Sequence, residues 1–134
     1  LPDTRIDPGP DTIRVIEAAI RRFRPDVVYT HTEHDQHQDH RAVHQATRIA
    51  ARNVPSVLCY QSPSTTIDFR PSRFVDVGST LDLKLAALEA YASQAGRAYL
   101  APELIRSTAA YWGRFAQYAH VEPLEVLRDA NFSA

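Results

Sequence analysis

At 134 residues the chain is long enough to close a core and short enough to be one domain. Fifteen Lys and Arg against sixteen Asp and Glu leave a formal charge of −1, so no basic surface argues for nucleic acid or an anionic membrane. No apolar run approaches the ~18 residues of a membrane span, and a lone cysteine, Cys59, excludes an internal disulfide.

Residues 1–10, LPDTRIDPGP, read as an extended connector. Asp11 or Thr12 is the expected cap of a helix. Ile13, Ile16, Ala19, Ile20 and Phe23 recur on one face of it, with Arg14, Glu17, Arg21, Arg22 and Arg24 on the other. Pro25 ends that helix, and residues 27–30 form a strand. A second helix is expected from Asp39 or His40 to Arg52 or Asn53, with Val43, Ala46, Thr47 and Ala50 on its apolar face. Pro55 forbids its continuation. Residues 56–60 read as a buried strand in which Cys59 is a small core residue. Residues 61–72 are a loop rich in Ser, Thr and Pro, and 73–77 a third strand. After Gly78-Ser79-Thr80 comes a helix with Leu81, Leu85, Leu88 and Tyr91 inward. Pro102 opens another, carrying Leu104, Ile105, Thr108, Trp112 and Phe115. Residues 121–128 form a last strand, which Pro123 should push to an edge. This alternation predicts a single α/β layered domain over residues 1–134 with a mainly parallel sheet.

The chemistry concentrates in His31–His44, HTEHDQHQDHRAVH, which holds five of the six histidines. It joins a strand to a helix, and in α/β folds such loops lie at the carboxyl edge of the sheet, where ligands bind. Zinc takes histidine and carboxylate ligands, and catalytic sites keep one position open. His40, where loop becomes helix, is the best ligand candidate. Asp39 can hydrogen-bond a neighbouring imidazole and fix its tautomer. His37 can point into the same mouth, to stabilise an oxyanion or protonate a leaving amine. His31 and His34 read equally well as site or surface. His44, one turn beyond His40, is expected to face the core. His120, Trp112 and the tyrosines read as structural, and Arg70, Arg73 and Ser93 as surface residues.

His37-Gln38-Asp39-His40-Arg41-Ala42-Val43 resembles the HPDHRAV segment of the LmbE-like, or PIG-L, zinc-dependent de-N-acetylases. PDVVYTH at 25–31 and Asp35 match the approach to that segment. YQSPSTTIDFRPSRFVDV at 60–77 is similar to the family's post-strand region. Lys84-Leu85-Ala86-Ala87-Leu88 with Ser93-Gln94 resembles its K-x-x-A-L…H-x-S-Q helix. Tyr111–Phe115 and Val121–Glu125 resemble its ending. Gln38 replaces the usual proline, and Ala92 stands where the family often has histidine.

The resemblance implies a Rossmann-like three-layer fold and removal of an N-acetyl group, usually from an N-acetylglucosamine conjugate. It implies Zn2+ as cofactor, His40 as the third zinc ligand, His37 as the intermediate-stabilising or amine-protonating histidine, and Asp39 as its orienter. The family's first motif, AHPDDE, would supply two ligands and a general base; it does not occur here, nor does any methionine. We therefore expect a partial domain lacking its first strand or strands, inactive alone, from an active cytoplasmic deacetylase. The expected partner is a small N-acetylated sugar conjugate, with no nucleic acid and no membrane span, and with homo-oligomerisation left open. The alternative is a non-catalytic metal-binding or partner-completing α/β domain. A metallo-β-lactamase-type HxHxDH site fits poorly, because position 35 is Asp.

Overall fold

The structure is a computed structural model, and it describes residues 4–91, 93 and 96–130. The readings that involve Leu1, Ala92 and Gln94 lie outside these. In chain order the elements are α1 (Pro10–Phe23), β1 (Val27–His31), α2 (Gln38–Ala50), β2 (Ser56–Tyr60), β3 (Arg73–Asp76), α3 (Leu81–Glu89), a 3-10 turn (Ala98–Leu100), α4 (Pro102–Ala116) and β4 (Val121–Asp129). No described helix is long and apolar enough to cross a membrane.

The strand order is β1-β2-β4-β3. β1 and β2 are parallel, in register from Val27↔Ser56 to His31↔Tyr60, as a helical crossover through α2 requires. β4 runs antiparallel to β2, from Leu124↔Tyr60 to Asp129↔Ser56. The α/β class is as expected, and the expected mainly parallel sheet is a mixed one, with β1 parallel and β4 antiparallel to β2. β4 is also not an edge strand. Pro123 comes just before Leu124, the first β4 residue paired with β2, so its missing N–H interrupts none of those pairs.

The chain divides into two compact units, Leu1–Ser72 with Leu124–Ala134, and Arg73–Pro123. In the first, Gly9 and Pro10 open α1, and Arg24 closes it in the left-handed region at φ 45°, donating its N–H to Ile20 O. Ile20 and Val28 pack on a core of Ala51, Val54 and Val57. α2 buries Ala42, Ala46, Thr47 and Ala50. Phe23, expected inward, is 69% exposed at the last position of α1. β1 ends the strand order, and its Tyr29 is 59% exposed.

In the second unit Leu81, Leu85, Ala109 and Val121 are buried. Tyr91 is exposed, contrary to expectation, because α3 stops at Glu89 and the helical spacing no longer applies. Leu104 and Phe115 are also about half exposed. Gly113 is required: a Cβ there would lie 2.3 Å from Tyr118 O, where the chain folds back after the left-handed Gln117.

Candidate metal centre

β1 ends at His31 and its parallel neighbour β2 ends at Tyr60, so the loops that leave them emerge side by side. They are fastened like strands. Gln36 N–H donates to Ser64 O at 3.0 Å and Thr66 N–H to His34 O at 2.7 Å, around an antiparallel bridge between Asp35 and Thr65. Asp35, 3% exposed, lies in this seam.

The Asp35 carboxylate receives four hydrogen bonds. Oδ1 accepts from His37 N–H at 2.8 Å and Ser64 Oγ–H at 2.7 Å. Oδ2 accepts from Ser62 Oγ–H at 2.5 Å and His40 Nδ1 at 3.0 Å. Burial alone would raise its pKa, but the bonds from Ser62, Ser64, His40 and His37 outweigh it and hold the group down at about 2. An ionised carboxylate only accepts, so the ring nitrogen facing it is Nδ1–H. In the neutral ring the lone pair of His40 then sits on Nε2.

His31 stacks on His40, with centroids 3.7 Å apart and planes 7° from parallel. Its Nε2 meets Tyr60 Oη at 3.1 Å, while Nδ1 is buried without a hydrogen-bond partner. Burial, reinforced by the nearby His40, pushes its pKa down to about 4, so this ring is neutral at physiological pH. Burial also raises Tyr60, which keeps its proton.

His37 caps α2. Its Nδ1 accepts from Asp39 N–H at 3.2 Å, so the neutral ring carries its proton on Nε2. The ring also stacks on His40, with centroids 4.5 Å apart. The link between Asp39 and His37 thus runs through the backbone. The Asp39 carboxylate, 5% exposed, accepts instead from Thr4 N–H at 2.6 Å and Ile6 N–H at 3.3 Å. Gln38 adds a bond from Nε2 to Thr4 O at 2.7 Å. The residue that replaces the family's proline therefore helps tie down the N-terminal segment.

The remaining histidines separate cleanly. His44 is 1% exposed and faces the core as expected, with Nδ1 2.8 Å from His31 O and Nε2 buried without a partner. His34 is half-buried and engages the loop seam through its backbone. His120 lies in the second unit, where its carbonyl accepts from Val77 N–H.

Among the described residues, His31, Asp35 and His40 form a group whose candidate ligand atoms lie within 4.8 Å of one another. His31, with its Nδ1 unpartnered, and His40 offer imidazole nitrogens of the kind zinc takes. Asp35 has four bonds already made, which occupies about as many acceptor positions as a carboxylate has. The two imidazoles fit part of the ligand set of a zinc-class ion. Ser62, Ser64 and Tyr60 were not read as site residues from sequence. The available signal was a Ser/Thr-rich loop leaving the strand parallel to β1.

Comparison with known proteins matches the first part of the chain to the family its sequence resembles. Residues 1–51 match the family model described as PIG-L: GlcNAc-PI de-N-acetylase. Over 89 residues the chain is 42% identical to the uncharacterized deacetylase YaiS of Escherichia coli (strain K12), covering 62% of this chain and 48% of that protein. It thus spans about half the length of that curated relative. The conserved protein TT1542 from Thermus thermophilus superposes with a TM-score of 0.83 at 26% identity, covering 99% of this chain and 65% of that one. The zinc-inhibited form of teicoplanin deacetylase Orf2 shares the fold, with a TM-score of 0.66 at 19% identity over 87% of this chain and 51% of its own. So does GalB, the 4-carboxy-2-hydroxymuconate hydratase of Pseudomonas putida KT2440, at 0.74 and 19% over 92% and 61%.

Proposed function

We propose that these residues belong to a zinc-dependent hydrolase that removes an N-acetyl group from an N-acetylglucosamine-type conjugate. The fold alone does not decide this, since a hydratase shares it. The observation that carries the reading is the state of His40: Nδ1 is held by a saturated Asp35, Nε2 is free, and the His37 ring is stacked alongside. His40 holds the metal through Nε2. A bound zinc ion supplies Lewis acidity toward the acetyl carbonyl and its attacking water. His37 carries its proton on Nε2, where it can donate to a developing oxyanion and then to the departing amine. Water adds to the carbonyl carbon, the C–N bond breaks, and acetate and free amine leave. Asp39 positions His37 through its backbone N–H and anchors the segment before α1.

Neither buried aspartate is free to act as general base. Asp35 has four donors on it, and Asp39 receives two backbone N–H groups. Residues 1–134 alone are therefore proposed to be inactive, the base and further ligands coming from additional chain. Release of free amine from N-acetylglucosamine conjugates, with Zn2+, tests both parts. The full-length protein should turn over and lose activity on chelation or in His40→Ala, while residues 1–134 should not turn over. Zinc-dependent turnover by residues 1–134 would refute the second part. A zinc-loaded full-length protein that releases no amine across acetylated sugars would favour a non-catalytic metal-binding domain.

A further inference from the structure

The bonding around Asp35 leads one step further out, to the loop after β2. Asp35 has about four lone-pair positions, and two are filled by hydroxyls twenty-seven and twenty-nine residues away in sequence. The direction of those hydroxyls is constrained. Ser62 Oγ accepts from Ser64 N–H at 3.2 Å and from Thr65 Oγ1–H at 3.3 Å, which occupies its lone pairs and leaves its one proton for Asp35. Thr65 Oγ1 in turn accepts from Ser62 N–H at 2.8 Å, which fixes the turn. Ser64 donates to Oδ1 and also lies 3.1 Å from Ser62 Oγ and 3.4 Å from His40 Nδ1. The loop itself is latched to the histidine loop on both sides of Asp35 by the two backbone bonds of the seam.

We propose that Ser62 and Ser64 are positioning residues for His40: by filling the other acceptor positions of Asp35, they turn that carboxylate into a fixed acceptor for Nδ1–H and hold Nε2 open as the ligand atom. This rests on the reading of His40 as a metal ligand. It also assigns Asp35 to a place behind the ligand, although it belongs to the compact His/Asp group. Without the two hydroxyls the carboxylate has spare lone pairs. It can then rotate, hydrate or reach an ion directly, and the imidazole is no longer confined to one tautomer. Outer partners of this kind typically alter metal affinity by roughly 10- to 100-fold.

The test has two readouts, neither of which is turnover. In the metal-free chain labelled with 15N-histidine, at a pH where the imidazoles are neutral, the ring nitrogen shifts of His40 report the tautomer directly. The wild-type chain should show a protonated Nδ1 and a bare Nε2. Ser62→Ala/Ser64→Ala should shift His40 toward the Nε2–H form. In the full-length protein the same change should weaken Zn2+ binding, measured by chelator competition, roughly 10- to 100-fold. Ser62→Thr/Ser64→Thr keeps both hydroxyls and should restore both readouts. Should the double alanine variant fail to fold, the single variants are read in the same way, each with a smaller shift. An unchanged tautomer and unchanged affinity overturn the proposal. Tighter Zn2+ binding on loss of the hydroxyls also overturns it, because Asp35 would then be ligating. If the deacetylase reading alone is wrong, amine release is absent while both readouts behave as described.

Discussion

The two units bury different kinds of group. All eight buried polar or charged residues among those described (Thr12, Thr30, Thr32, Asp35, Asp39, His44, Thr47 and Ser56) lie in the unit that holds the histidine loop. The Arg73–Pro123 unit buries Leu81, Leu85, Ala109 and Val121, and places its ion pairs, Lys84–Glu122 and Arg106–Asp82, at the surface. Burying a polar group is unfavourable unless its bonds are made. In the first unit two aspartates take six of those bonds beside a histidine stack, so the unfavourable burial coincides with the candidate site. In the second unit, shape is what the sequence protects.

The largest effect should come from shape. In Gly113→Ala the new methyl meets the carbonyl oxygens of Tyr118 and Ala119 at 2.3 and 3.0 Å, and both are backbone atoms. Relief requires moving the turn after α4, not a side chain. We expect a loss of about 3 kcal/mol in urea unfolding, the upper part of the range for overpacking. A loss below ~0.5 kcal/mol, the level of an indifferent surface change, would remove the contrast from the second unit's side.

Asp35→Asn should come next, at about 2 kcal/mol. The amide offers one oxygen and one NH2 where four donors converge, so at least one pair of donors faces another donor. The pH dependence separates this group from its neighbour. His31 is held near 4, below its usual 6.5, so between those values the unfolded chain binds more protons and stability falls as pH drops. Asp35 is held near 2, below its usual 3.8, so its contribution is full above pH ~4 and is lost as pH falls toward 2. In metal-free unfolding curves Asp35→Asn should remove the contribution of Asp35 below pH ~4, and, because the Asp35 charge raises the His31 pKa, should carry the His31-linked fall to lower pH. Identical slopes in wild type and variant below pH ~4 would contradict the bonding around Asp35.

Much of this was legible in the sequence where the signal was local. Ser56–Tyr60 was bounded by a proline and a polar loop, and β2 occupies those residues. The start of α2 at the histidine loop and the inward turn of His44 followed from helical spacing. The failures share a cause. Pro123 argued for an edge because proline lacks a donor, but only the register shows that no pair with β2 falls on it. Tyr91 was read on a helical face that ends two residues earlier. Ser62 and Ser64 were invisible because their partner lies in another loop, and only the parallel pairing of β1 and β2 brings the two together. The resemblance paired Asp39 with His37, and the bond between them runs through the Asp39 backbone N–H. The Asp39 carboxylate is taken by the N-terminal segment more than thirty residues away, and no spacing rule points there.

The smallest effect sharpens the comparison from the other end. Arg106 and Asp82 make a 2.6 Å ion pair between α4 and α3, as short as contacts around Asp35. Length is a poor guide here. The Asp82 side chain is 86% exposed and that of Arg106 48% exposed, whereas the Asp35 side chain is fully buried. Water solvates both partners when the pair is broken, and holding two long side chains together costs entropy. Arg106→Ala should therefore cost about 0.3 kcal/mol and less at high salt. A loss comparable to that of Asp35→Asn would mean that bond length, and not burial, ranks the polar contacts of this chain. Burial would then not single out Asp35 and Asp39 from the surface carboxylates.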